Sequence, residues 1–112
     1  MSPKFVKCDV EGAEMSVLKG GTEFFSSPQK PILLIEVNLS AADSANWKPE
    51  SMVSFLERCG YTDFIFMSYA QRPIVLSPIG NPPRVRLTKN GNLLVLNAKL
   101  HSEERSRIAR LM

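Results

Sequence analysis

The hydrophobic residues of this chain fall into short runs separated by polar segments, and the clearest run is "ILLI" at residues 32–35. An unbroken apolar stretch predicts a strand covered on both faces, because a strand with one wet face alternates apolar and polar residues. Strand-like composition also occurs in residues 4–10, 62–69 and 92–98. A further short strand is compatible with "IVL" at residues 74–76, inside an irregular, proline-rich segment.

Helical spacing of apolar residues separates the first three strands. Residues 13–19 predict a helix that ends at a pair of glycines, and residues 22–27 predict one further turn. Residues 49–59 predict a longer helix, with proline at its first position and glycine directly after it. Residues 38–47 are predicted to form a polar loop, and the charged residues 99–112 a helical or frayed tail.

The order strand, helix, strand, helix, strand, strand predicts an α/β sheet with helices packed on it. Helical crossovers join the first three strands, as parallel pairing requires. The last two strands are expected to form an antiparallel pair that closes one edge. The first strand has the composition of a strand with a neighbour on each side, yet almost nothing precedes it. The pattern therefore predicts the second half of a larger doubly wound domain.

Composition and charge restrict the class of function. The chain has 112 residues, of which 44% are hydrophobic and 22% charged, as in one globular domain. A net charge of +3 without a recognisable basic motif does not favour nucleic-acid binding. The single histidine excludes a multi-histidine zinc site. No apolar run is long enough to span a membrane and no secretion signal is seen, so we expect a cytoplasmic location with Cys8 and Cys59 reduced.

Acidic residues follow two of the predicted strands. Asp9 and Glu11 come after the first strand, and Glu36 ends the second. Ligands of open parallel sheets bind at the carboxyl ends of the strands, so neighbouring strands would crowd these carboxylates at one rim. Clustered carboxylates raise at least one pKa, which provides a general base or a cation site. For Asp9, a turn-forming role is the alternative interpretation.

The motif "DVEGAE" at residues 9–14 also allows structural interpretations. Glu14 lies in the first turn of the predicted helix, where a negative charge is favourable by roughly 0.3–1 kcal/mol. Gly12 allows the backbone to bend sharply from strand into helix. Asn38 follows the second strand and places a polar side chain near the same rim.

Four blocks of sequence, "FVKCDVEGAEMSVLKGG", "PILLIEVN", "SFLERCGY" and "NLLVLN", occur in this order along the chain. Together they resemble the C-terminal half of the FkbM-type methyltransferases, which are S-adenosylmethionine-dependent enzymes of the Rossmann-like class. The hallmark of that family reads approximately (I/V)-D-(V/I)-E-G-(A/Y/H)-E followed by VLKGA, and residues 9–14 and 17–20 match it in order. The resemblance covers residues 4–98, a partial methyltransferase domain, and leaves residues 99–112 as the tail.

The resemblance implies methyl transfer to a hydroxyl of a sugar or natural product, with the first strand here as the fourth of a seven-stranded sheet. The candidate residues are catalytic Asp9, Glu11 and Glu36, cofactor-binding Asp9 and Gly12, and substrate-binding Glu14 and Asn38. Asp9 would contact the acceptor or orient the cofactor. Glu11 and Glu36 would act as base, acceptor ligands or cation ligands, and those roles are not ranked.

The family's fold adds two features that this chain lacks: a glycine-rich loop for the methionine part of S-adenosylmethionine, and an acid for its ribose. We therefore expect a C-terminal fragment of a methyltransferase. Its partners would be a small-molecule or glycan acceptor, and the missing N-terminal half or a second copy of the chain. The alternative is a non-catalytic remnant that binds a protein partner through its exposed strand edge, by strand addition.

Overall fold

A five-stranded mixed sheet lies at the centre of the structure, a computed structural model that describes residues 4–68, 76–78 and 90–110. The strands are β1 (Phe5–Cys8), β2 (Ile32–Val37), β3 (Asp63–Ser68), β4 (Leu76–Pro78) and β5 (Gly91–Leu96). The helices are α1 (Glu14–Gly20), α2 (Thr22–Phe25), α3 (Leu39–Ser44), α4 (Pro49–Arg58) and α5 (Ser102–Ala109). Strands alternate with helices up to β3, which confirms the mixed α/β class.

The first two strands pair in parallel, as the sequence predicts. β1 lies beside β2 with Cys8 opposite Ile35, and α1 and α2 form the crossover between them. Among the described residues, no strand pairs with the other edge of β1. The carboxyl ends of β1 and β2 therefore meet at one rim of the sheet.

The last two main strands of the prediction, residues 62–69 and 92–98, correspond to β3 and β5, and they form the predicted antiparallel pair. The prediction that this pair closes one edge of the sheet is wrong. The strand order is β1-β2-β5-β3-β4, so β5 lies between β2 and β3 and is antiparallel to both, while β4 pairs antiparallel with the outer side of β3. Leu93, Val95 and Leu96 of β5 are fully buried. A strand this apolar gains more from two neighbouring strands than from an edge position. Residues 74 and 75 of the predicted "IVL" strand lie outside the described residues.

The core lies between the sheet and the helices that cover it. Leu33, Ile35 and Val37 of β2 are fully buried in this core, which confirms the predicted strand. Leu34 and Glu36 on the opposite face are half-buried, so the predicted coverage of both faces is found only in part. Helices α1 and α4 contribute buried residues to the same cluster as the strands. These helical residues are Met15, Leu18, Met52, Val53, Phe55 and Leu56. The α4 helix begins with a proline, as predicted, and Gly60 just beyond it has a φ of +105°.

Part of the segment predicted to be a polar loop is instead helix α3. Asn38 caps this helix, because its Oδ1 accepts the amide of Ala41 at 3.0 Å. Ala42 is the buried residue of this helix, and the side chain of Asn90 accepts a hydrogen bond from the amide of Leu39 at 2.9 Å. An N-cap asparagine followed by leucine and alanines favours a helix start, and that signal outweighs the polar composition of the segment.

The C-terminal tail is helical and is attached to the rest of the fold. Arg105 of α5 forms an ion pair with Asp63 at the start of β3. His101 is buried, and its Nδ1 accepts the amide of Asn97 at 2.9 Å while its Nε2 lies 3.0 Å from the carbonyl of Lys30. Because Nδ1 accepts, Nε2 carries the proton and donates a hydrogen bond to the backbone carbonyl of Lys30. The tail is thus attached to the start of β3 through Asp63 and to the segment before β2 through the carbonyl of Lys30.

Candidate functional site

A tight turn follows β1 and carries the densest part of the motif. The amide of Ala13 donates to the carbonyl of Val10 at 3.2 Å, which closes the turn. Both central residues have positive φ, +47° at Glu11 and +102° at Gly12. The strand ends at Cys8, so Asp9 and Glu11 lie in the turn and do not share one side of a continuing strand. The turn leads directly into α1.

Glu14 is buried inside this turn, with only 2% of its surface exposed. Its two carboxylate oxygens accept the amides of Val10 and Gly12, each at 2.9 Å. The side chain therefore satisfies backbone donors ahead of the helix, as a residue in the first helical turn is placed to do. This burial argues against the substrate contact predicted for Glu14 and favours the structural interpretation.

Gly12 is enclosed by α3 and by the loop that follows it. The indole Nε1 of Trp47 donates to the carbonyl of Gly12 at 2.7 Å, and a Cβ on Gly12 would lie 2.9 Å from the carbonyl oxygen of Ala41. Sequence reasoning missed the role of Trp47, because no spacing in the sequence connects it to a turn 35 residues earlier. Asn38, predicted to bind substrate, uses its Oδ1 to cap α3.

Replacing Gly12 by alanine is expected to destabilise the fold strongly. A positive φ of +102° costs an L-residue roughly 1–2 kcal/mol, and the new methyl group would also meet the backbone of Ala41. The matched control is Gly20→Ala at the end of α1, where nothing lies within 4 Å of the added carbon. Urea unfolding should show a loss for Gly12→Ala and no loss for Gly20→Ala. Equal stability of the two variants would contradict the described packing of the turn.

Asp9 and Glu36 lie side by side at the carboxyl ends of β1 and β2. Cys8 is opposite Ile35, so the next residue of each strand brings the two acids together. The Asp9 carboxyl lies close enough to Glu36 to disfavour ionisation of the Glu36 side chain. Partial burial and the neighbouring charge of Asp9 raise the pKa of the Glu36 carboxyl, with smaller contributions from Glu14 and Glu11. The Glu36 carboxyl therefore retains its proton to a higher pH than an isolated carboxyl does.

The other titratable side chains around the pair differ in exposure. Glu11 is exposed on the turn and contributes the smallest charge effect on Glu36. Burial, together with the charges of Glu14 and Asp9, raises the pKa of the Cys8 thiol to about 11. Cys8 is therefore protonated at neutral pH and is a poor nucleophile. Over residues 4–68, 76–78 and 90–110, no group of three or more His, Cys, Asp or Glu side chains is arranged to hold a metal ion.

Replacing Glu36 by glutamine is expected to stabilise the protein in a pH-dependent way. The folded-state pKa of Glu36 is raised, so its stabilising contribution is complete below the unfolded-state pKa of about 4.3 and is lost as pH rises through the folded value. At about pH 8 the substitution removes a disfavoured charge, and the thermal midpoint should rise, whereas at about pH 4 it should change little. Exposed Glu23→Gln is the control and should show no such pH dependence. A gain for Glu36→Gln that is the same at both pH values would show that charge is not the cause.

The fold and the acidic rim define an α/β protein with a carboxylate pair at the carboxyl ends of neighbouring parallel strands. In a comparison with protein families, the family described as "Methyltransferase FkbM domain" matches residues 2–62, which is more than half of the chain. The chain belongs to the FkbM methyltransferase family, and this membership gives its class of function as methyltransferase. The match includes β1, β2, α4 and the whole "DVEGAE" motif.

Two other comparisons give no relatives. No curated protein matches the chain significantly, and no solved structure does so either. Among the described residues, no helix combines the length and the apolar character needed to cross a membrane.

Proposed function

We propose that this chain takes part in S-adenosylmethionine-dependent O-methylation of a sugar or natural-product hydroxyl. The observation that carries this proposal is the pair of acids at the rim of the sheet, where Asp9 of the family's motif lies beside Glu36 at the end of β2. Methyl transfer to a hydroxyl requires that the acceptor proton be removed, and a carboxylate positioned at the acceptor oxygen can accept it.

The rim suits the sulfonium end of S-adenosylmethionine. Asp9 and Glu36 repel each other when both are ionised, and a nearby positive charge lowers that repulsion. When bound, S-adenosylmethionine supplies an activated methyl group, whose bond to sulfur breaks as its bond to the acceptor oxygen forms. Asp9 orients the reacting groups, and Glu11 lies on the exposed outer side of the turn. The hydroxyl proton passes to the ionised member of the Asp9–Glu36 pair.

The contribution of Gly12 to cofactor binding is indirect. Its carbonyl and amide are both used within the fold, by Trp47 and Glu14 respectively. Gly12 therefore fixes the turn that presents Asp9, and the same turn places Glu11. Asn38 acts through α3, which covers Gly12 from the other side.

The chain supplies only part of the binding site for S-adenosylmethionine in this proposal. A glycine-rich loop and a ribose-binding acid belong to the first half of the family's Rossmann-like fold, and the sequence contains no GxGxxG motif. The unpaired outer edge of β1, within the described residues, is where further strands of such a sheet would add. Residues 4–98 then form the second half of the domain.

Calorimetric titration with S-adenosylmethionine tests this proposal. We expect weak or no binding by the 112-residue chain, and binding by a longer polypeptide that also supplies the first half of the family's fold. Asp9→Asn in the longer polypeptide should weaken methyl transfer more than cofactor binding. Micromolar binding by the short chain would refute the claim that part of the binding site lies elsewhere. A longer polypeptide that binds S-adenosylmethionine but never releases S-adenosylhomocysteine, with any hydroxyl acceptor, would refute the proposed activity.

A second candidate function is a protein-interaction module that binds through β1. Phe5 is 53% exposed on this edge strand, and Val10, just beyond the strand, is 44% exposed. An exposed strand edge can accept a strand from a partner. This function predicts that Phe5→Lys abolishes partner binding while Asp9→Asn has no effect, which is the opposite of the result expected for the enzyme.

A further inference from the structure

A cleft of about 370 Å³ lies next to the turn that carries the motif, between α1, α3 and the start of α4. Met15 and Lys19 line it from α1, and Asp43, Trp47 and Lys48 line it from α3 and the loop that follows. Its volume falls in the range of small-molecule sites. The cleft shares no lining residue with the Asp9–Glu36 pair, so it is a separate feature of the molecule.

The aromatic wall of the cleft is held in place from behind. Trp47 is half-buried and packs against the core, and its Nε1 donates to the carbonyl of Gly12 at 2.7 Å. The indole therefore presents a flat apolar face at low entropic cost when a ligand binds. Because Gly12 lies three positions after Asp9, this bond also links the cleft to the acidic rim.

The charged lining of the cleft is mainly positive. Lys19 and Lys48 are exposed, and in the described part of the chain neither forms an ion pair with a carboxylate. Asp43 supplies the single negative charge, and Asn46 and Ser51 add neutral polar groups. Two ammonium groups beside a flat apolar wall fit a ligand that combines an anionic group with an apolar ring face and hydroxyls.

We propose that this cleft binds an acidic sugar unit of the methyl acceptor, with its ring face on Trp47 and its carboxylate near Lys19 and Lys48. The inference rests on the proposed methyltransferase function and adds a charge requirement for the acceptor. Asp43 accepts hydrogen bonds from the sugar hydroxyls, and the side-chain amide of Asn46 both donates hydrogen bonds to them and accepts hydrogen bonds from them. The reacting hydroxyl would belong to a neighbouring part of the acceptor that reaches the Asp9–Glu36 pair.

Fluorescence of Trp47 tests this inference, because it is the only tryptophan in the chain. The 112-residue chain is titrated with methyl β-D-glucuronide and, separately, with neutral methyl β-D-glucoside. The acidic sugar is expected to change the emission saturably and to bind at least several-fold more tightly than the neutral one. Raising the salt concentration should weaken the binding of the acidic sugar and leave the binding of the neutral sugar unchanged.

Charge variants identify the lysines that are responsible. Lys19→Gln and Lys48→Gln are each expected to weaken glucuronide binding by about 2- to 5-fold, the range for exposed charge pairs. Lys99→Gln, an exposed lysine outside the cleft, is the matched control and should bind normally. Circular dichroism confirms that all three variants are folded.

Three outcomes would overturn the inference. They are equal binding of acidic and neutral sugars, unchanged binding in both cleft variants, and no binding either by fluorescence or by ligand-observed NMR. None of these measurements uses S-adenosylmethionine, so their failure leaves the proposed methyl transfer intact. Conversely, glucuronide binding by a chain that never supports methyl transfer would leave the cleft in place and remove the activity.

Discussion

Replacing Glu14 by alanine is expected to lower the free energy of unfolding by about 2–3 kcal/mol, which is large for a single acidic side chain. The substitution leaves the buried amide of Gly12 without its acceptor at 2.9 Å and also removes the acceptor of the Val10 amide. An unsatisfied buried donor retains its full desolvation cost, whereas the unfolded chain satisfies it with water. Equilibrium unfolding in urea measures the loss.

Two variants show whether the cause is hydrogen bonding or charge. Glu23→Ala, an exposed acid in the first turn of α2, removes the same side chain without burial and should cost only a few tenths of a kcal/mol. Glu14→Gln retains one acceptor oxygen and should fall between wild type and Glu14→Ala. A loss for Glu14→Ala no larger than that for Glu23→Ala would contradict the described role of Glu14 in the turn.

Replacing Asp9 by asparagine in the assembled methyltransferase is expected to lower turnover by about 10²–10⁴-fold, the usual contribution of a positioned acid or base. Asparagine cannot accept the hydroxyl proton, and without the charge of Asp9 the pKa of Glu36 falls, which makes Glu36 a weaker base. Stability should stay the same or rise, because Asp9 is exposed and its negative charge repels that of Glu36. Release of S-adenosylhomocysteine with a panel of hydroxyl acceptors measures turnover, and thermal unfolding measures stability.

The comparison between activity and stability separates the two interpretations of Asp9. Glu23→Gln, an exposed acid outside the site, is the control and should leave turnover unchanged. If Asp9→Asn instead unfolds the protein while the remaining folded molecules keep normal turnover, Asp9 is a turn-forming residue. A parallel loss of turnover and stability would also argue against a chemical role.

The strands could be predicted from the sequence because each buried strand carries its own apolar run. The meeting of Asp9 and Glu36 also followed from sequence, since the carboxyl ends of adjacent parallel strands share one rim. The position of β5 could not be predicted, because an apolar run indicates burial but does not identify its neighbours. The sheet order depends on long-range pairing that a local pattern does not contain.

The parts of the site that could not be predicted involve side chains whose role depends on distant backbone. Glu14 was expected at a helix start, but its burial depends on the positive φ of Glu11 and Gly12. Trp47 donates to the carbonyl of Gly12, and this bond depends on the position of α3 and the loop after it. The capping pattern at Asn38 was present in the sequence and could have identified that helix.

The central position of β5 also has a consequence for how the protein is synthesised. β5 spans Gly91–Leu96 and follows β3 and β4 in the sequence, yet it separates β2 from β3. A ribosome-bound chain that has not yet released this segment exposes the facing edges of both earlier strands, which are prone to association with other chains. Folding of the sheet can therefore be completed only after β5 has left the ribosome, and a chain that stops before Gly91 should be directed to chaperones or proteases.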